Sequence, residues 1–127
     1  AVFSFTLKVV PKLVQDTLDQ AGLAKDDIDH FVMHQANKFI LEHLRKKAGI
    51  DPAKYLIDMH DFGNTSSASV PLAICHKLAD ELTHKSRKMF LSGFGVGWSW
   101  GGLITDMGPM VPPRLIEIPD DFPPLEL

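Results

Sequence analysis

Segments with helical spacing alternate with short β-prone segments along the chain, and this alternation restricts the fold more than any other feature. Apolar residues at steps of three and four predict helices, and short apolar runs bounded by turn residues predict strands. Strands separated by helices pair in parallel through crossovers, which cover both faces of the sheet. The sequence therefore predicts an α/β fold with a mixed, mostly parallel sheet and an antiparallel last strand. The predicted helices cover 2–21, 37–48 and 69–82, and the predicted strands cover 28–33, 55–59, 88–94 and 99–107.

The first predicted helix contains a proline that conflicts with its helical pattern. An apolar stripe runs along this segment and Gly22 is a natural stop; the stripe consists of Leu7, Val10, Val14 and Leu18. Pro11 lacks a backbone N–H and clashes with the preceding turn of a helix. We therefore expect a kink at Pro11 or a later helix start, and alternation over 2–7 leaves a strand as the alternative there.

The end of the chain has a composition of its own. Six of the nine prolines lie after Gly108, together with four acidic residues. A proline-rich segment favours extended backbone over helix. The sequence therefore predicts a folded part over residues 1–107 and an extended tail over 108–127, lying on a surface or on another chain.

Charge and cysteine content exclude several classes of protein. The net charge is −3, so no basic excess indicates nucleic acid or an anionic membrane. The one cysteine, Cys75, excludes an internal disulfide and a multi-cysteine metal site. No apolar run approaches the roughly 20 residues of a membrane-spanning helix, and no signal peptide is recognisable. We expect a cytoplasmic protein, either one domain or a piece of one.

The histidines do not form a recognisable metal motif. His30 and His34 lie four residues apart in a predicted strand, where about 13 Å would separate them. No HExxH motif or cysteine pair is present, so no metal site is expected. The glycines of 93–97 lack the spacing of a dinucleotide-binding loop.

Two polar side chains follow neighbouring predicted strands and are the strongest candidates for chemistry. His34 ends the first strand, and Asn64 lies in the loop between the second strand and the next helix. Ligands of open α/β sheets bind at the carboxyl ends of the strands. An imidazole N–H and an amide N–H at this edge can stabilise negative charge on one oxygen. The alternative is structural, with His34 capping the helix of Asn37 and Asn64 forming an Asx turn.

Three motifs resemble one enzyme family in combination. They are His34–Gln35–Ala36–Asn37, then Asp61 to Ser69 (DFGNTSSAS), then Gly93 to Gly97 (GFGVG) followed by Trp100–Gly101. Together they resemble the C-terminal half of β-ketoacyl-[acyl-carrier-protein] synthase III over residues 2–107. The resemblance implies half of a thiolase-like fold, with a mixed, mostly parallel sheet covered by helices on both faces.

The resemblance also implies a reaction. Members of this family perform decarboxylative Claisen condensation between an acyl thioester and a malonyl thioester on acyl carrier protein. By motif, His34 and Asn64 are the catalytic donors to the malonyl thioester oxygen, and the nucleophilic cysteine belongs to an N-terminal half absent from this chain. The implied substrate-binding residues are Gln35, Asn37, Lys38, Phe94 and Gly95. No cofactor is implied beyond coenzyme A thioester and phosphopantetheine-linked substrates, and the implied partners are acyl carrier protein, acyl-coenzyme A and a second copy in a homodimer.

Three departures from the family pattern leave an alternative open. The family's nucleophilic cysteine is not among the residues of this chain, and Cys75 cannot replace it. Cys75 lies on the apolar stripe of a predicted helix, where a buried structural thiol is expected. Phe39 occupies a place where the family commonly has a basic residue, and the tail has no counterpart in the core pattern. The alternative is a non-catalytic thiolase-like subunit that docks acyl carrier protein or a partner synthase.

Overall fold

The computed structural model describes residues 2–123, so the last four positions of the predicted tail lie outside the described residues. Within the described residues, four α-helices and four strands make up the fold, with short 3-10 helices in the connections. The helices are α1 (Val2–Ala21), α2 (Lys38–Ala48), α3 (Ser69–Lys77) and α4 (Ala79–His84). The strands are β1 (His30–Met33), β2 (Tyr55–Leu56), β3 (Arg87–Gly95) and β4 (Ser99–Met107).

The four strands form one sheet in the order β2-β1-β3-β4. Strand β1 pairs in parallel with both β2 and β3, whereas β3 and β4 are antiparallel. The predicted mixed and mostly parallel sheet is therefore confirmed. Because β1, β2 and β3 run in the same direction, the residues that follow them leave the sheet at one edge.

Helices cover both faces of the sheet, because successive strand residues point to opposite sides. Phe31 and Phe90 lie on one face with their rings 5.4 Å apart, and α1 and α2 pack there through Val14 and Leu41. On the opposite face, Val32 and Met89 of the sheet pack against α3, α4 and the residue between them; this second set of core residues consists of Val32, Ala73, Ile74, Leu78, Leu82 and Met89. The expected coverage of both faces is confirmed.

Helix α1 runs through Pro11 as a single helix of 20 residues. A helix that begins later and a strand over 2–7 are therefore both wrong. Val10, Val14 and Leu18 on its inner face are 0 to 1% exposed. Burying an aliphatic side chain contributes about 1.5 to 3 kcal/mol, so the three together offset the roughly 3 kcal/mol that an interior proline costs.

The third predicted helix is two helices in the structure. It is interrupted at Leu78, which has φ −118° and ψ 3° and packs in the core with 6% of its surface exposed. The backbone N–H of Leu78 still donates to the carbonyl of Ile74 at 2.9 Å. The interruption therefore leaves the apolar face continuous, which is why spacing alone predicts one helix.

The predicted second strand is shorter than expected, and a side chain replaces its missing pairing. Regular pairing of β1 with β2 ends at Leu56. Beyond it, the buried Gln35 amide donates to the carbonyls of Met33 (2.7 Å) and Leu56 (3.4 Å) and accepts from the N–H of Asp58 (2.7 Å). Gln35 thus fastens the carboxyl ends of the two strands together. This structural role differs from the substrate contact expected from the sequence.

After β4 the described part of the chain has neither helix nor strand. The tail is anchored near its start, where Met110 donates its backbone N–H to the carbonyl of Leu82 at 3.0 Å. Farther along, Val111, Ile116 and Ile118 are 68 to 87% exposed. Within residues 2–123, no helix combines the length and apolarity needed to cross a lipid bilayer.

Gly108 is required where the chain turns from β4 into the tail. It has φ +86°, and a Cβ added there would lie 2.4 Å from the carbonyl oxygen of Lys85. Gly108→Ala should lower the free energy of unfolding by about 2 to 4 kcal/mol through backbone strain and overpacking. The control is Gly22→Ala, since Gly22 has φ +65° and open space around it, and it should lose only about 1 kcal/mol. Denaturant unfolding of both full-length variants measures the difference, and equal losses would contradict the steric argument.

Gln35→Ala should destabilise the protein because it leaves two carbonyls and one N–H without their side-chain partner. The expected loss is about 2 to 4 kcal/mol. Gln15→Ala is the matched control, because Gln15 is exposed and bonds only to Asp19 one turn away, so its change should stay within about 0.5 kcal/mol. Denaturant titration of the two variants compares them, and a neutral Gln35→Ala would show that the amide does not fasten the strands.

Candidate active site

A cavity of about 610 Å³ opens where β1, β2 and β3 end. Parallel strands bring their following loops to this edge, and the first residues of α1 and α2 close its sides. Most of its wall is apolar, with polar groups concentrated on one loop. The lining residues are Thr6, His34, Ala36, Ile40, Asn64, Ser66, Ser67, Val70, Gly93, Phe94, Gly95 and Val96.

His34 is held by contacts with β3 and with the start of α3. Its backbone N–H donates to the carbonyl of Ser92 on β3 at 2.8 Å. Its Nδ1 lies 2.9 Å from the Oγ of Ser69 at the start of α3, and the Phe94 ring packs edge-on at 5.4 Å between ring centres. These contacts leave Nε2 as the ring nitrogen available to the cavity. The alternative in which His34 caps α2 is wrong, because Asn37 caps that helix by accepting from the N–H of Ile40.

Burial favours the neutral imidazole at this position. Removal from water lowers the pKa of His34 below 6.5, and the backbone carbonyl of Ser66 opposes this shift more weakly. A neutral imidazole carries one N–H and one bare nitrogen. At pH 7 His34 is therefore available as a neutral donor or acceptor.

Asn64 sits in an Asx turn that directs its amide. Its Oδ1 accepts from the N–H of Ser66 at 2.9 Å. The preceding Gly63 has φ +62° and donates its N–H to the carbonyl of Met59. The Asx turn that was the structural alternative is therefore present, but it uses only the oxygen. The amide NH2 group remains to donate into the cavity that Asn64 lines.

Charged groups tie the Asn64 loop to α3. The buried Asp58 carboxylate lies 2.8 Å from Nδ1 of His76, and Phe62 packs edge-on against the same imidazole at 5.1 Å. Asp61, in the same loop, has its pKa lowered mainly by a hydrogen bond from His60. The contacts of Asp58 and Phe62 with His76 of α3 hold the loop at the cavity edge.

The other sequence-predicted residues divide into two groups. Phe94 and Gly95 line the cavity beside His34. Gln35, Asn37 and Lys38 are not among the lining residues; Gln35 is buried in the sheet edge, whereas Asn37 and Lys38 are exposed at the start of α2. A substrate contact by Gln35, Asn37 or Lys38 stays a prediction.

Sequence reasoning missed the side chain that contacts His34. In the sequence, Ser69 is only the end of the second motif and the start of a predicted helix, which gives it no contact with His34. In the structure Ala68 occupies the cap position without a side-chain hydrogen bond, while the Ser69 hydroxyl turns toward Nδ1 of His34 and the N–H of Gln35. Sequence reasoning also missed the place of Thr6 in the cavity lining, because Thr6 lies next to the apolar stripe of α1 and belongs to no motif.

Among the described residues, the cavity lining includes no second histidine and no cysteine. His30 bonds Glu81 through Nε2 at 2.6 Å, so it shares no site with His34. In the described range 2–123, no group of three or more metal-ligating side chains is placed to hold an ion. Cys75 is a free thiol of intermediate exposure, less buried than the sequence predicts, and it lies outside the cavity lining.

Comparison with known proteins connects this geometry to one family. Residues 18–107 match the family model described as 3-oxoacyl-[acyl-carrier-protein] synthase III C terminal. The chain is 37% identical over 109 residues to beta-ketoacyl-[acyl-carrier-protein] synthase III of Lactococcus lactis subsp. lactis (strain IL1403), covering 84% of this chain and 34% of the relative. The synthase III of Staphylococcus haemolyticus (strain JCSC1435) is 38% identical over 107 residues, with the same shares covered.

A solved structure shares the fold. The 3-oxoacyl-(acyl-carrier protein) synthase of Burkholderia xenovorans LB400 matches with a TM-score of 0.90 and 45% identity over 92% of this chain and 34% of that chain. This span is longer than residues 1–107, so part of the tail has a counterpart in that protein, although the family model itself ends at residue 107. The fold is part of a thiolase-like fold, and the chain spans about a third of the length of the curated relatives it matches. The chain belongs to the 3-oxoacyl-[acyl-carrier-protein] synthase III family and contains its C-terminal region.

Proposed function

We propose that the protein is an acyltransferase that condenses an acyl thioester with malonyl-acyl carrier protein. The observation that carries the proposal is the meeting of His34 and Asn64 in one cavity at the carboxyl ends of β1 and β2. In this reaction an active-site cysteine accepts the acyl group from coenzyme A. This chain supplies the donor side of the site, and the nucleophile comes from outside it, since Cys75 is not in the cavity lining.

His34 and Asn64 act on the malonyl thioester. The bond between the malonyl α-carbon and its carboxylate breaks, CO2 leaves, and the electron pair passes into an enolate with its charge on the thioester oxygen. The Nε2–H of His34 and the Nδ2–H of Asn64 donate to this oxygen. The enolate carbon then bonds to the acyl carbon and releases the cysteine thiolate. A donor of this kind contributes about 3 kcal/mol to the transition state.

The apolar wall supports the same step. Ile40, Val70 and Phe94 line the cavity beside the donors. In such surroundings hydrogen bonds to developing charge are stronger than in water. An apolar wall solvates the compact charge of the malonyl carboxylate poorly. Loss of CO2 delocalises this charge over the enolate, so the wall destabilises the bound substrate relative to the transition state of decarboxylation.

Helix α2 provides a docking surface for an acidic carrier protein. Lys38, Lys46 and Lys47 are exposed on this helix, whereas Arg45 bonds to the carbonyl of Ile50 and to Glu42. Cationic side chains raise the association rate with an acidic partner. We infer that acyl carrier protein docks on α2. We also propose that acyl-coenzyme A is the acyl donor and that the working enzyme is a cytoplasmic homodimer.

Removing either donor should block decarboxylation and leave acylation of the enzyme intact. In the full-length gene product, His34→Ala and Asn64→Ala should each lower kcat for CO2 release from malonyl-acyl carrier protein by about 10² to 10³-fold. Transfer of radiolabelled acyl groups from coenzyme A to the protein should remain within a few-fold of wild type, because the donors act after that step.

Matched controls separate this effect from damage to the fold. His84→Ala removes an exposed histidine on α4, and Gln15→Ala removes an exposed amide on α1, away from the cavity lining. Both should condense at wild-type rates. Normal condensation by His34→Ala and Asn64→Ala would overturn the assignment. Absence of acylation in the wild-type protein would favour the non-catalytic docking subunit instead.

A further inference from the structure

We infer that Ser69 is a positioning residue that holds His34 in the tautomer with its proton on Nε2. His34 then presents an N–H, and not a lone pair, to the cavity. This inference rests on the proposed function, because it concerns the donor that the proposed reaction uses. It concerns a hydroxyl group that neither the motif pattern nor the cavity lining singles out.

The geometry around the hydroxyl is well defined. Ser69 is the first residue of α3, and only 3% of its surface is exposed. Its Oγ lies 3.1 Å from the backbone nitrogen of Gln35 and 2.9 Å from Nδ1 of His34. The hydroxyl therefore bridges two consecutive residues that follow β1.

The donors and acceptors in this bridge allow one arrangement that satisfies every group. A backbone N–H can only donate, so Gln35 occupies one lone pair of the Ser69 oxygen. The hydroxyl proton needs an acceptor in this buried place, and Nδ1 of His34 is the one at hydrogen-bond distance within the described part of the chain. Ser69 therefore donates to Nδ1. A neutral imidazole that accepts at Nδ1 carries its proton on Nε2.

The opposite arrangement leaves a polar group unsatisfied. If Nδ1 carried the proton and donated to Ser69, the oxygen would accept twice and its own proton would lack an acceptor. A buried donor without a partner destabilises that arrangement. The Ser66 carbonyl, which also acts on the ring, can only accept, so when Ser69 donates to Nδ1 the partner of this carbonyl on the ring is the N–H at Nε2 and not the bare Nδ1.

No charged neighbour competes with Ser69 for control of the ring. Apart from His34 itself, the residues that line the cavity include no acidic, basic or otherwise titratable side chain. Phe94 contacts the ring only through its edge. Ser69 is thus the side chain that decides which nitrogen of His34 carries the proton.

The test is performed on full-length protein labelled with [15N]histidine. Two-bond proton–nitrogen NMR spectra identify which ring nitrogen carries the proton, and comparison with His34→Asn identifies the His34 signals. In the wild type at pH 7 the proton should be on Nε2. Ser69→Ala should raise the pKa of His34 by about 0.5 to 1 unit, because loss of a hydrogen bond to the neutral ring is of that size.

Two further variants distinguish positioning from packing. Ser69→Thr keeps the hydroxyl and should restore the wild-type pKa and tautomer. Ser86→Ala, at an exposed serine between α4 and β3, should change neither. In the malonyl decarboxylation assay, Ser69→Ala should lower kcat about five- to tenfold and shift the acid limb of the pH profile upward, with acylation by acyl-coenzyme A unchanged.

Each outcome decides the inference. A wild-type proton on Nδ1, or an unchanged His34 pKa in Ser69→Ala, would overturn it whatever the activity. If Ser69→Ala does not fold, Ser69→Cys takes its place, since a thiol is a weaker donor than a hydroxyl and should raise the His34 pKa in the same direction. If the NMR results are as expected while His34→Ala still condenses normally, the inference about Ser69 stands and the proposed function fails.

Discussion

The parallel pairing of β1 with both of its neighbours is the constraint on which the rest of this structure depends. It places the ends of three strands at one edge of the sheet and thereby brings His34, Asn64 and Phe94 to one cavity. The pairing also requires crossovers, so helices cover both faces and the strands lie between two apolar layers. The candidate site is thus a consequence of strand direction.

Strand ends leave backbone groups without partners, and side chains near the site satisfy them. Gln35 bonds the carbonyls of Met33 and Leu56, and Ser69 accepts from the N–H of Gln35. Asp58 and His76 then fix the loop that leaves β2. A buried polar network of this kind specifies one geometry, because each partly satisfied alternative is costly.

The sequence predicts features of the fold that arise from a repeating pattern. It does not predict features that depend on a single contact between distant residues. Spacing predicted the helices and the two core faces, and the position of His34 and Asn64 after strands predicted their meeting. The interruption at Leu78 could not be predicted, because it leaves the apolar face continuous. Nor could the passage of α1 through Pro11, which tertiary packing stabilises. Ser69 contacts residues that lie 34 and 35 positions before it in the sequence, and Gln35 bonds to the neighbouring strand at Leu56. Local sequence patterns do not contain contacts over such distances.

The Asx turn at Asn64 has a consequence for the energetics of the proposed reaction. Because its oxygen is already bonded to the Ser66 N–H, the side chain cannot rotate freely without losing that bond. Its N–H dipole is therefore oriented during folding, before any substrate arrives. Water around a developing enolate must reorient at the moment of reaction, whereas dipoles fixed by the backbone do not. The turn therefore lowers the reorganisation energy of the step, and the cost of orienting the amide is part of the folding free energy rather than of the barrier.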